Sequence, residues 1–159
     1  MGTLDKMGGR GTLDRGADSV QAGGVCGSLI GMKYIEEEVS IAVGQGAGGV
    51  ATSGALAPAN SATFAVAYRV TNAPGGGAAT LDINVTGGAA GSWVNDAACA
   101  SLGDGGVSIL GSLGDGSITA LVSNTAAATF TLSTNSNVTG NAMKVRVTVG
   151  YFDFSAPTA

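Results

Sequence analysis

No histidine occurs anywhere in the 159 residues. That excludes Ser-His-Asp and Cys-His nucleophilic catalysis and removes the commonest metal ligand. Few other residues could do chemistry. Glu36, Glu37 and Glu38 are consecutive and could supply the paired carboxylates of a glycoside hydrolase. Strand neighbours, however, point to opposite faces, and Glu36 and Glu38 sit on one strand instead of flanking a cleft, so the run reads as a charged edge or a solvated face. Asp104 and Asp115 lie in two copies of a Ser-Leu-Gly-Asp-Gly unit, Ser101–Gly105 and Ser112–Gly116. Calcium takes about six to eight oxygen ligands, and each unit offers one acid, so both read as Asp-Gly turns. Trp93, Tyr34, Tyr68 and Tyr151 could stack on a sugar, but Tyr68 and Tyr151 fall in phase with apolar positions and read as core. Trp93 lies in a Gly/Ala/Ser-rich stretch that reads as a loop. Cys26 and Cys99 are too isolated for a zinc site or a disulfide framework and read as two buried thiols. No P-loop or Rossmann fingerprint is present. Asn84-Val85-Thr86 and Asn137-Val138-Thr139 fit a glycosylation acceptor pattern. The N-terminus has no apolar run after its basic residue, so no secretory signal is expected and those matches carry no weight. These residues imply no catalytic group, no metal and no cofactor, and a chain that is not an enzyme.

The elements that would position any binding surface are strands. Met143, Val145, Val147, Val149 and Tyr151 alternate with Lys144, Arg146 and Thr148, a period of two that predicts a half-buried strand. Phe64, Val66, Tyr68 and Val70 alternate with Thr63, Ala65, Ala67 and Arg69. Ile35, Val39, Ile41 and Val43 predict an inward face, with Glu36 and Glu38 outward and Glu37 in phase with the apolar set. Leu81, Ile83 and Val85 predict a further inward face, and 117–123 and 128–134 read as strands. Asn72-Ala73-Pro74-Gly75-Gly76-Gly77 and Val138-Thr139-Gly140-Asn141 are turn signals. No segment carries a helical apolar period. Short strands separated by Gly/Asn/Pro turns imply an all-β fold, an antiparallel β-sandwich or jelly roll. Exposed edges on such a domain favour assembly with copies of itself.

Length suits one domain, and a chain of this size buries roughly 70% of the surface its unfolded form exposes, enough to be stable without disulfides or metals. Charged residues are 11% and the formal net charge is −4. That balance speaks against nucleic-acid binding, which needs a basic patch. No stretch approaches the ~20 apolar residues that span a bilayer. Residues 1–33 form a distinct unit: a Gly-rich arm without apolar periodicity, preceding a β domain over 34–159. Its only order is Gly2-Thr3-Leu4-Asp5-Lys6, repeated as Gly11-Thr12-Leu13-Asp14-Arg15. The arm carries a net +1, from Lys6, Arg10, Arg15 and Lys33 against Asp5, Asp14 and Asp18, and the rest a net −5. Leu4 and Leu13 are isolated apolar residues that could plug pockets on a partner. Thr3, Leu4, Asp5, Lys6, Thr12, Leu13, Asp14 and Arg15 are accordingly the candidate partner-binding residues.

The span from Ala59 to Pro157 resembles small β-sandwich virion proteins of tailed bacteriophages. The residues that carry the resemblance are Phe64-Ala65-Val66-Ala67-Tyr68-Arg69-Val70-Thr71, Ala79-Thr80-Leu81-Asp82-Ile83, Thr129-Phe130-Thr131-Leu132-Ser133 and the closing run from Gly140 to Phe154. The span is similar to domains of capsid decoration (cement) proteins, head fibres and tail-fibre modules. Gly87 to Gly116 departs from the pattern, being longer and richer in glycine. The resemblance implies a non-enzymatic structural role on the capsid surface of a virion, after synthesis in the host cytoplasm. It also implies the major capsid protein or another virion protein as partner, a dimer or trimer, and no nucleic acid or membrane. Cement proteins clamp neighbouring subunits with extended arms whose main-chain groups add to strand edges, a use that suits residues 1–33. The alternative is a head- or tail-fibre module that binds a host receptor or glycan. A fibre more often brings a coiled-coil or collagen-like stem, and this chain has neither heptads nor a Gly-X-Y period.

Overall fold

The computed structural model of the chain describes residues 31–47, 51–86, 92–109, 113–114 and 121–154. They contain ten strands and no helix: β1 (Gly31–Ile41), β2 (Ala51–Thr52), β3 (Ser61–Asn72), β4 (Thr80–Thr86), β5 (Ser92–Ala98), β6 (Gly105–Ile109), β7 (Leu113–Gly114), β8 (Val122–Asn124), β9 (Thr129–Thr134) and β10 (Met143–Asp153). β1 opens at Gly31, three residues ahead of Tyr34. The sheets have five strands each. Sheet A runs β1-β10-β3-β6, with β8 also paired to β3, and sheet B runs β2-β9-β4-β5-β7. Pairing is antiparallel apart from the short β5–β7 contact. With β7 and β8 set aside, eight strands remain, and β4–β5 is the one sequential pair that stays within a sheet. Every other step crosses from one sheet to the other. That winding is an antiparallel jelly-roll sandwich, the all-β class that the strand pattern implies.

The core follows from alternation. On β10, Met143, Val145, Val147, Val149 and Tyr151 are buried and Lys144 and Arg146 exposed. Val66, Tyr68 and Val70 of β3 meet Leu81 and Ile83 of β4, Phe130 and Leu132 of β9, and Val39 and Ile41 of β1 in one cluster between the sheets. The Tyr68 hydroxyl crosses that cluster and donates to the Ala98 carbonyl at the end of β5, 2.7 Å away. Ser53 locks β2 to β9: its backbone N–H donates to the Phe130 carbonyl and its Oγ accepts from the Phe130 N–H, both at 2.9 Å. Asn124 of β8 is buried and its Nδ2 donates to Ser61 Oγ (3.1 Å) and Thr63 Oγ1 (3.0 Å). Most buried polar groups are thus paired, as a low-dielectric interior requires. Among the described residues Trp93 Nε1 and Ser108 Oγ are the exceptions.

Three readings of the sequence are corrected. Trp93 is on a strand, not in a loop, and is fully buried in the core; its flanking small residues conceal a strand because they carry no apolar alternation. Phe64 does not share a face with Val66. The β10–β3 register shifts between Gly150 and Tyr151, where Gly150 pairs with Ala65 and Tyr151 with Thr63, leaving Phe64 as the extra residue. The bulge reverses the phase: Thr63 is buried, and the Phe64 ring lies over Gly150, 2.8 Å from where a Cβ would stand. Val43 is 54% exposed, because β1 ends at Ile41 and the chain turns through Gly44 at φ +83°.

Phe130 fills the centre of the sandwich and is fully buried. Phe130→Ala is expected to cost about 3–5 kcal/mol through lost transfer energy and the cavity left behind. Equilibrium urea unfolding of the two chains checks this: the midpoint falls while the slope with denaturant is unchanged.

Candidate interaction surface

The groups with possible chemistry resolve first. β1 is an edge strand of sheet A. Glu36 and Glu38 are exposed on its outer side, whereas Glu37 points the other way and is half-buried. Its Oε2 accepts the Gly54 N–H at 2.7 Å, across the rim of the sandwich. The three carboxylates therefore divide between two faces. Asp104 makes a turn: its Oδ2 accepts the Ser101 N–H at 2.8 Å, its own N–H donates to the Ser101 carbonyl at 3.1 Å, and Gly103 takes φ +91°. Among the described residues no group of three or more His, Cys, Asp or Glu side chains is placed to hold a metal ion. Asp115, Cys26 and the candidate partner-binding residues Thr3, Leu4, Asp5, Lys6, Thr12, Leu13, Asp14 and Arg15 lie outside the described residues.

The aromatic side chains do not form one platform. Trp93, Tyr68 and Tyr151 are buried, and Tyr34 is 74% exposed on β1. Tyr34 instead belongs to the outer face of sheet A, where the pairing registers lay out side chains in rows. The first row joins Met32 of β1 to Phe152 of β10, and Phe152 meets the Phe64 ring at a centroid distance of 4.9 Å, tilted by 37°. Tyr34, Gly150, Ala65 and Ile109 make the second row, and Glu36, Thr148, Ala67 and Val107 the third. The fourth is Glu38, Arg146, Arg69 and Gly105. One end of the face is thus apolar and the other charged.

The charged end is ordered internally. Glu38 accepts from Thr71 Oγ1 at 2.8 Å and pairs with Lys144 Nζ at 3.2 Å. The Thr71 hydroxyl and then Lys144 hold its carboxyl below the usual carboxylate range. At the apolar end Lys33 Nζ donates to Asp153 Oδ2 at 2.6 Å, which raises the lysine's pKa. Between them Met32 (70% exposed), Tyr34, Val107 (59%) and Ile109 (57%) are large apolar side chains left in water. Apolar residues grouped in this way mark an interaction site more often than single exposed ones do.

Sequence reasoning missed this face, and the β6 segment shows why. Read as part of two Asp-Gly turn units, Gly105-Gly106-Val107-Ser108-Ile109 is given no strand, and Val107 and Ile109 no face. In the structure Ser108 is fully buried and both neighbours face solvent. The available signal was the alternation itself, in a stretch whose glycines hid the strand.

No family model matches this sequence, and no curated protein matches it. Among solved structures, a chain of the X-ray structure of tomato aspermy virus is similar at 9% identity and a TM-score of 0.40, over 80% of each chain. A likeness that shallow carries no argument about what this chain does.

Cys99, just past β5, is buried and free, and burial pushes its thiol from an ordinary 9.0 up to about 11. The folded state therefore keeps a proton that the unfolded chain releases near pH 9.0. Stability from this group is complete below pH 9, and falls as pH rises through 11. Burial raises Tyr68 in the same direction. The alkaline fall in urea midpoint between pH 9 and 11 is expected to shrink in Cys99→Ala, measured against each chain's own value at pH 8.

Proposed function

We propose that this chain is a non-enzymatic virion structural protein: a capsid decoration (cement) protein of a tailed bacteriophage. In this role it binds the shell of the major capsid protein through residues 1–33 and stabilises it as a homo-oligomer on the capsid surface. The observation that carries the reading is the jelly-roll winding of β1–β10, combined with the apolar outer face of sheet A. Jelly rolls recur in viral capsid domains and also in lectins and cupins, so the fold narrows the role without fixing it. Two features favour the structural role. The three consecutive glutamates divide between two faces of β1, and the aromatic side chains that could stack on a sugar are mostly in the core. Anchoring by the arm supports the cement reading further. Its repeated Gly-Thr-Leu-Asp-basic unit offers two equivalent plugs per copy, and many weak identical contacts on a shell sum to high avidity.

The test is co-sedimentation of the purified chain with parent capsids that lack it, alongside a chain deleted for residues 2–30, which leaves β1 intact. The full-length chain is expected to sediment with the shell and to raise its disruption temperature, and the deleted chain to stay in the supernatant. Equal binding by both would move the anchor into the β domain. Binding by neither, with adsorption to host cells instead, would replace this reading by the fibre module.

A further inference from the structure

We infer that the loop end of the sandwich opposite Gly31 is a binding site for a neutral saccharide that carries acetamido groups. This goes beyond the shell-binding reading and does not rest on it.

The topology gathers the site. β1 runs away from Gly31, and Ile41 at its far end pairs with Met143. At the same end Lys144 pairs with Asn72, Arg69 with Gly105, and Leu81 with Thr134. The β1–β2, β3–β4, β5–β6 and β9–β10 loops therefore emerge together. With 11 residues in β1, they stand roughly 33 Å from the point where residues 1–30 join the domain. A protein anchored through that segment presents these loops at its far end.

The loops brace one another. Val138, in the β9–β10 loop, is fully buried in the core. Its N–H donates to the Gln45 carbonyl at 2.7 Å, and its carbonyl accepts the Gly44 N–H at 2.8 Å. The Thr139 N–H donates to the Gly76 carbonyl of the β3–β4 loop at 2.9 Å. Gly75 packs so closely on Gly140 that a Cβ on Gly75 would stand 2.7 Å from the Gly140 Cα. Loops held in place beforehand lose little conformational entropy when a ligand binds.

The side chains set the ligand's chemistry. Among the described residues of these loops Asp104 is the one charged group, and its carboxylate is engaged by the Ser101 N–H. Four exposed carboxamides stand there instead: Gln45, Asn135, Asn137 and Asn141. Two of them are oriented. Asn135 Oδ1 accepts the Ala79 N–H at 2.9 Å and the Thr80 N–H at 3.1 Å, and Asn137 Oδ1 accepts the Ala47 N–H at 3.1 Å. A backbone N–H can only donate. These bonds therefore fix which side-chain atom is the oxygen, and turn each amide nitrogen with its two donor hydrogens away from the backbone it holds. Oriented neutral donors with no lysine or arginine among them suit an uncharged acceptor, whereas phosphate or carboxylate calls for a cation. The carbonyl of an acetamido group and the hydroxyls around it are such acceptors. Val43 (54% exposed) and Leu102 (71%) belong to the same loops and offer apolar contact to an acetyl methyl or a ring C–H face. Recognition by amides needs no aromatic platform, so the burial of Trp93, Tyr68 and Tyr151 does not oppose it. An extended peptide also carries carbonyls, but it docks by adding to a sheet edge, and these loops lie beyond the strand ends.

The experiment is a two-dimensional NMR titration of the full chain with the trisaccharide of N-acetylglucosamine. Cellotriose, which lacks the acetamido groups, and acetyl-trialanine amide are titrated in parallel. The trisaccharide is expected to shift the side-chain NH2 signals of Asn135 and Asn137 and to saturate at millimolar concentration, with cellotriose roughly tenfold weaker. Asn135→Asp and Asn137→Asp keep an oxygen for the backbone N–H groups and remove the outward donor. Each is expected to fold, as thermal unfolding checks, and to bind the trisaccharide roughly tenfold more weakly. Tyr34→Lys, on the outer face of sheet A, is expected to bind as the wild type does. Four outcomes would overturn the inference: no shift at millimolar trisaccharide; shifts confined to residues outside these four loops; folded Asp variants that bind unchanged; and equal or stronger shifts with cellotriose or the peptide, which would replace the acetamido sugar as the ligand. Capsid co-sedimentation is read separately, so loss of either result leaves the other standing.

Discussion

The register between β10 and β3 is the constraint on which the rest of this structure depends. β10 lies between β1 and β3, so its alternation sets the phase of both neighbours. Its odd-numbered residues, from Met143 to Tyr151, build one wall of the core. Its even-numbered residues carry the outer rows. One extra residue opposite Gly150 and Tyr151 then takes Phe64 out of the core and lays it over a glycine on the outside. A side chain at position 150 would collide with that ring. The bulge and the glycine are therefore one feature, and together they convert a plain strand surface into an apolar ridge.

Much of the sandwich was legible in the sequence because a strand with one buried face must alternate. β10, β9, most of β3 and the inward face of β4 follow from that rule alone. The places where the rule fails have identifiable causes. At Phe64 a bulge inserts a residue, and periodicity cannot reveal an insertion that depends on the partner strand. At Trp93 and β6, alanine and glycine neighbours dilute the pattern until a strand looks like a loop. At Ser108 a small hydroxyl is buried while valine and isoleucine face water, an inversion set by pairing with β3 and by nothing local. The outer face combines β1, β10, β3 and β6, which lie far apart in the chain. Its rows exist only once four registers are fixed, so no single segment could announce them.

The same physics explains what fills the interior. A jelly roll crosses between its sheets at almost every step, so both sheets contribute side chains to one interior, and that interior is filled by Trp93, Phe130, Leu132, Ile83 and their neighbours. Several polar groups near it serve structure. Tyr68 ties the sheets together, Ser53 and Asn124 hold short strands in place, and Asp104 closes a turn. Glu37 has the same kind of task, holding the Gly54 N–H at the rim.

The three consecutive glutamates then acquire a common logic. Reading them as catalytic requires a cleft, and β1 supplies an edge. As an edge device, Glu37 penalises any strand that pairs alongside, because pairing would bury its charge further. Glu36 and Glu38 discourage a second β1 for the same electrostatic reason. On the outer face Glu38 sits two strands from Arg69 at the same height, with Arg146 between them. Charge placed on an edge in this way governs which contacts form more than how strongly they hold.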